Sequence, residues 1–152
     1  MFYIFIILLI TLDQAIKFLV NNSLSYGQSV PVLKNIFHLT YVRNSGAGFG
    51  ILQGQREFFI IITIIIISTL LIYRFKTSNN KYLNMALGLI IGGAIGNLID
   101  RIRFSYVIDY LDFRIWPVFN LADSAVFVGV GILLIYLWQL EEDTQSEDDK
   151  DA

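Results

Sequence analysis

The chain has 152 residues, 55% of them hydrophobic, with a formal net charge of -2, no cysteine and one histidine, and a mean hydropathy of +0.61. Soluble domains rarely reach that balance without long lipid-facing runs, so composition marks an integral membrane protein. It excludes disulfides, thiol chemistry, lipid carried on this chain's own cysteine and a basic surface for nucleic acid, and it leaves little from which to build a zinc site.

Residues 2–12 are almost wholly apolar and the run continues through Asp13, Gln14 and Lys17 to Val20; with neither the basic start nor the small-residue cleavage site of a removed signal peptide, it is expected to form a retained first span. Asp13 and Lys17 stand four apart, on one face of a helix, where they can pair. They either neutralise each other near the membrane surface, with Lys17 snorkelling outward, or serve a site.

Residues 24–56 are different material. Ile36, His38, Thr40 and Val42 alternate with Phe37, Leu39, Tyr41 and Arg43, which predicts one or two strands lying on the bilayer surface. A lone strand histidine reads as a surface or packing residue. Asn44-Ser45-Gly46-Ala47-Gly48-Phe49-Gly50 follows, and its glycines suit either a backbone close to a ligand or a simple turn.

The second span, residues 58–73, contains eight isoleucines and no charge, enough with its flanks to cross a ~30 Å hydrocarbon core. A short connection with Arg74, Lys76 and Lys81 leads to the third span, residues 82–98, where Gly88, Gly92 and Gly96 recur at the four-residue spacing that lets helices approach closely. Asn97, Asp100 and Arg101 close the same helix. Arg101 is free by pattern either to pair with Asp100 or to tie down a loop.

Residues 100–123 join the third span to a fourth, residues 122–138, and carry four of the thirteen acids. Acids beside lipid are costly unless paired, neutralised or wet, so this stretch is the functional-site hypothesis. Asp109 and Asp123 stand out. If the turn between them folds back, like-charge repulsion and poor solvation make them share one proton, as in aspartyl hydrolysis. Asn120 and Asp123 also suit the N-cap and first turn of the fourth helix, which is the plainer account of Asp123 and would make it the more acidic of the two. Seven of the thirteen acids lie in residues 141–151, predicting a solvated, disordered tail 141–152 after one domain, 1–140.

Together Asp13-x-x-x-Lys17, Arg43-Asn44-Ser45-Gly46-Ala47-Gly48-Phe49, Gly92-Gly93-Ala94-Ile95-Gly96-Asn97-Leu98-Ile99-Asp100-Arg101, Val107-Ile108-Asp109-Tyr110 and Phe119-Asn120-Leu121-Ala122-Asp123-Ser124 resemble bacterial lipoprotein signal peptidase (signal peptidase II) over nearly the whole chain. The resemblance implies an all-α membrane fold of four transmembrane helices, with a small extracytoplasmic β-cradle and a short surface helix. It implies Asp109 and Asp123 as catalytic pair, Asn44, Gly46, Asn97, Arg101 and Asn120 lining or supporting the site, and Asp13 and Lys17 holding it. No metal and no cofactor are implied. The substrate would be a diacylglyceryl-modified prolipoprotein cut before its lipid-bearing cysteine, by a monomer in the bacterial inner membrane with both termini cytoplasmic. The charge bias alone does not give that orientation: Arg74, Lys76 and Lys81 face Lys34, Arg43, Arg56, Arg101, Arg103 and Arg114 across the membrane. Two departures from the family stand here, Gly48 in place of a usual alanine and Tyr110 where phenylalanine is common.

Three other readings compete on pattern. A serine hydrolase would use Lys17 as base and Ser45 or Ser124 as nucleophile. A small transporter or proton-pathway protein would use the same acids, although transporters favour repeated halves with helices broken at the midplane. A non-catalytic scaffold would leave the acids as caps and ion pairs.

Overall fold

The computed structural model describes residues 2–46, 51–77 and 80–151, with side chains described as far as Glu141. In chain order the elements are α1 (Phe2–Ser23), β1 (Ser29–Leu33), β2 (Phe37–Asn44), α2 (Arg56–Lys76), α3 (Lys81–Phe104), β3 (Val107–Asp112) and α4 (Leu121–Asp151). All four helices contain a stretch long and apolar enough to cross a membrane, the fourth over Leu121–Glu141. The four spans expected from composition are therefore present.

α3 is the central helix. Over its apolar window 56% of residues are buried, against none in α2, and it packs most extensively on α4 and α1. Glycine makes this possible. A Cβ at Gly88 or Gly92 would press on Phe5 and Phe2 or on Leu9 and Ile6, and one at Gly96 would meet an oxygen of Asp13 at 2.6 Å, so these three glycines admit α1. Gly93 admits α4 at the Ala122 carbonyl, and Gly129 of α4 sits against the α3 backbone at Ala86 and Ile90. The expected packing role holds for the first three, and Gly93 gives room to a helix. Asn80 caps the start of α3 by accepting from the Tyr82 and Leu83 amides at 2.8 and 3.3 Å, and Ser105, at φ 67°, turns the chain out of it.

The strands form one antiparallel sheet in the order β1-β2-β3. The first two are the predicted pair. β3 is the element that sequence reading left as a bend, although Val107, Ile108 and Tyr110 have the β-branched and aromatic character of a strand. Its register sets Val107 opposite Asn44 and Asp109 opposite Val42. Residues two apart along a strand share a face, so Asn44 and Asp109 are diagonal neighbours on one side of the sheet. Underneath, Val20, Tyr41, Ile108 and Tyr110 form a core that joins the sheet to α1 and to the start of α4. A second core of Phe2, Leu83, Leu87, Ile91 and Tyr136 closes the bundle at the end that holds the 74–81 connection.

The acidic stretch past residue 140 continues α4 as far as Asp151. It contains no proline or glycine, and extending an existing helix avoids the cost of nucleating one. A separate short surface helix is not found among the described residues: 51–54 are turn, and 47–50 lie outside them.

The glycine contacts make a direct prediction. Gly93→Ala should cost roughly 1–3 kcal/mol of stability, because the added carbon meets a backbone carbonyl that cannot move alone. Gly131→Ala, with nothing within 4 Å, should lie within about 0.5 kcal/mol of the parent. Reversible unfolding in micelles checks both, and equal effects would contradict the packing account.

Candidate active site

Where the outer ends of α1 and α3 meet the sheet, a buried cation organises the polar groups. The Lys17 ammonium lies 2.9 Å from Asp13 Oδ2 and 2.9 Å from Asp100 Oδ2, and donates to Asn97 Oδ1 at 2.8 Å. Asp13 and Asp100 are 0% exposed and Lys17 2%. The pair expected from the i, i+4 spacing exists, but Lys17 does not snorkel. It points inward because α3 supplies a second carboxylate that the spacing did not reveal. Gln14 completes the cluster, donating to Asp100 Oδ1 at 3.0 Å, the Gly96 carbonyl at 3.2 Å and Asp13 Oδ2 at 3.3 Å.

Both carboxylates also reach out of the cluster. Asp13 Oδ1 accepts from the Ala122 amide in the first turn of α4 at 3.1 Å. Asp100 Oδ2 also accepts from the Ile108 amide in β3 at 3.1 Å. A helix start leaves its first amides without intrahelical partners, and in α4 three elements satisfy three of them. Tyr110 Oη takes Leu121 N at 3.2 Å, Asp13 takes Ala122 N, and Asn120 Oδ1 takes Asp123 N at 2.9 Å. The Tyr110 departure from phenylalanine thus places a hydroxyl against the start of α4, not in the cleft.

Asp123 answers to both of its readings. Its Oδ2 accepts from the Asn120 amide at 3.2 Å, closing a reciprocal cap with Asn120. Its Oδ1 accepts from Asn97 Nδ2 at 2.7 Å. Because Lys17 holds Asn97 by the oxygen, the nitrogen of that amide must face Asp123. The Asn120 Nδ2 group donates to Asn97 Oδ1 at 3.1 Å and to Asp109 Oδ1 at 2.7 Å. Asp109 Oδ2 accepts from Asn44 Nδ2 at 2.9 Å, and Asn44 is itself oriented by the Gly46 amide at 3.0 Å.

Asn120 therefore touches both candidate acids, and Asp109 and Asp123 line one cleft of about 550 Å³ with Asn44, Gly46, Asn97 and Arg101. Phe59 and Thr63 of α2 and Val126, Phe127 and Val130 of α4 form apolar walls, and Trp116 and Phe119 border it from the β3–α4 connection. Asp109 is 2% exposed. Burial, reinforced by the Asp123 charge, pushes its pKa up to about 7 against the opposing hydrogen bonds from Asn44 and Asn120. That shift favours the protonated form of Asp109 beside a second carboxyl, in a cleft with largely apolar walls.

The remaining candidates also find partners. Arg101 donates to the Gly46 carbonyl at 3.3 Å and lies over the Phe59 ring at 4.8 Å, so of its two readings it ties down the loop. A Cβ at Gly46 would meet the Ile51 carbonyl at 2.5 Å, so this glycine is needed for a close backbone approach. Gly48 lies outside the described residues. His38 is a sheet-surface residue beside Ser29, at 3.1 Å. The serine and lysine alternative fits poorly, because the Lys17 ammonium has two carboxylates and an amide as partners, and Ser124 Oγ donates to the Asn120 carbonyl at 2.9 Å. Gln14 and Tyr110 are the supporting residues that pattern alone did not select, since nothing in their spacing announces contacts across the fold.

The family model described as Signal peptidase (SPase) II matches residues 5–139. The chain belongs to the signal peptidase II family. Within it, the chain is 58% identical over 142 residues to the lipoprotein signal peptidase of Halothermothrix orenii, covering 93% of this chain and 98% of that one. To the one of Moorella thermoacetica it is 45% identical over 140 residues, covering 91% of each. A solved structure described as a bacterial membrane enzyme superposes with a TM-score of 0.87 at 34% identity, over 91% of this chain and 87% of that one. In this signal peptidase II fold four of the five sequence motifs line one cleft, and Lys17 of the first, paired with Asp13, reaches it through Asn97.

Two measurements test the site. Lys17→Met leaves two buried carboxylates without their cation and should cost about 3–5 kcal/mol or prevent folding, whereas a loss under about 1 kcal/mol would contradict the cluster. For Asp109 the folded-state pKa lies above the ordinary carboxylate value, so its proton stabilises the fold fully at low pH, and that contribution is lost as pH rises through about 7. Carbon-13 NMR of labelled aspartate should accordingly give Asp109 a midpoint about 7; an ordinary midpoint near ~4 would refute the shared-proton reading.

Proposed function

We propose that Asp109 and Asp123 are the catalytic pair of an aspartyl-type endopeptidase that removes the signal peptide from diacylglyceryl-modified prolipoproteins, cutting before the lipid-bearing cysteine. The observation that carries this is Asn120, whose side-chain amide holds Asp109 while its backbone amide holds Asp123, on one cleft. The chain is a protease of the signal peptidase II family, with four membrane-spanning helices.

Asp123 begins ionised and Asp109 protonated. Asp123 takes a proton from water as the water oxygen bonds to the scissile carbonyl carbon, and Asp109 gives its proton to the carbonyl oxygen. In the collapse of the resulting diol, Asp109 regains a proton from one hydroxyl and Asp123 passes its own to the departing nitrogen as the C–N bond breaks. The signal peptide leaves as an acid, the cysteine as a free amine, and the pair returns to its starting state. Asn44 and Asn120 keep the Asp109 carboxyl in the plane needed for this exchange, and Asn44, which lines the cleft, lies where a substrate backbone or the oxyanion can be met. The apolar walls from α2 and α4 allow the signal segment and acyl chains to remain in lipid while water reaches the bond. Placing this end of the bundle outside the cell, with both termini in the cytoplasm, puts the cleft where a translocated precursor presents its cleavage site.

The test is cleavage of a diacylglyceryl-modified precursor by the purified protein in lipid. Asp109→Asn and Asp123→Asn should each lower kcat by at least ~10³-fold without altering unfolding by more than a modest amount. The unmodified precursor should be cut far more slowly. Retained activity in either variant would remove the pair as the catalyst.

A further inference from the structure

In lipid, apolar surface alone does not drive one helix onto another; close packing and polar contacts do. The glycines that permit close approach serve α1 on α3 and α4 on α3, and α2 has no buried residue along its length. Its inner half rests on the closing core through Ile67, Leu70, Leu71 and Tyr73. Its outer half holds to α3 by polar groups. Arg56, the first residue of α2, donates from Nε to the Arg101 carbonyl at 2.9 Å and from Nη2 to the Ile102 carbonyl at 3.1 Å. These are carbonyls of the last turn of α3, that of Arg101 also accepting from the Ser105 amide at 3.1 Å, and the negative end of the helix dipole there favours a cation. The third guanidinium nitrogen lies 3.7 Å from the exposed Glu57. One turn on, Phe59 lies under the Arg101 guanidinium, and Phe59 and Thr63 form the α2 wall of the cleft, opposite Val126, Phe127 and Val130 of α4.

We propose that Arg56 is a positioning residue: by clamping the outer end of α2 to the end of α3 it sets the width of the cleft between α2 and α4. The role of that width rests on the function proposed above, since it is the gap through which an apolar segment of the substrate reaches Asp109 and Asp123. Arg56 does not touch the reacting atoms. Its effect should therefore fall on how the substrate is held and leave the chemistry of the pair unchanged.

The chain has no cysteine, so spin labels can be placed singly at Ile61→Cys on α2 and Val128→Cys on α4, both lipid-exposed. In nanodiscs, Arg56→Ala should broaden and lengthen the label-to-label distance distribution. With the lipid-modified precursor it should raise KM about tenfold, leaving kcat and its pH profile close to those of the parent. Arg56→Gln, a milder change that keeps a donor but is too short to span both carbonyls, should broaden the distribution as well and gives the answer if the alanine form does not fold. An unchanged distance distribution in either variant overturns the proposal, as does a lowered kcat with a shifted pH profile and an unchanged KM. If the parent protein cuts no lipid-modified precursor, the proposed function fails, and the distance measurement still decides whether Arg56 fixes α2.

Discussion

Everything at the site depends on one buried ammonium. Lys17 sits between Asp13 and Asp100 at 2.9 Å from each, at a depth where water is scarce. Such a cluster is a poor source of net stability, because removing three charges from water costs about as much as their attraction returns. What it supplies is geometry. Asp13 comes from α1 and Asp100 from α3, and their remaining acceptor capacity takes an amide at the start of α4 and one at the start of β3. Four elements are thereby registered against one point charge. The third partner, Asn97, carries that registration on to Asp123 and Asn120, and Asn120 carries it to Asp109.

This arrangement removes the conflict between the two readings of Asp123. A helix cap and a carboxylate of the proposed pair both need a group held in one orientation, and the first turn of α4 provides it. One oxygen closes the cap with Asn120 and the other accepts from Asn97, so the cap is the orienting device for the acid. Asp109 has a different environment. It projects from a strand, is almost fully buried, and is met by amides and a neighbouring carboxylate with no cation directly bonded to it. Two chemically identical side chains are thus given different surroundings by the elements that carry them, which is how one site can supply both an acid and a base.

Much of this was legible in the sequence, for reasons that differ by element. Isoleucine runs and four-residue glycine spacing respond to lipid and to helix contact, which are local constraints, so the four spans and the close-packing face of α3 could be read directly, though not which helix packs there. The Asp13 and Lys17 pairing could be read from helix periodicity. Asp100 as their third member could not, because its approach depends on Gly96 letting α1 come close. β3 was also hidden: a six-residue strand with a central acid has little periodicity, and its identity comes from pairing with β2 across more than sixty intervening residues. The same long-range pairing is what makes Asn44 and Asp109 neighbours. Gln14, Tyr110 and Arg56 were missed because their partners are backbone or polar groups distant in sequence, for which no local pattern exists.

The central claim is that two carboxyls address one reacting carbon. The most direct measurement is a crystal structure of the protein with a lipid-modified peptide in which a secondary hydroxyl replaces the scissile carbonyl. The account predicts that this hydroxyl lies between Asp109 and Asp123, within hydrogen-bond distance of both. A hydroxyl bound by only one of them, or seated against Ser45 or Ser124 with the carboxyls apart, would contradict it.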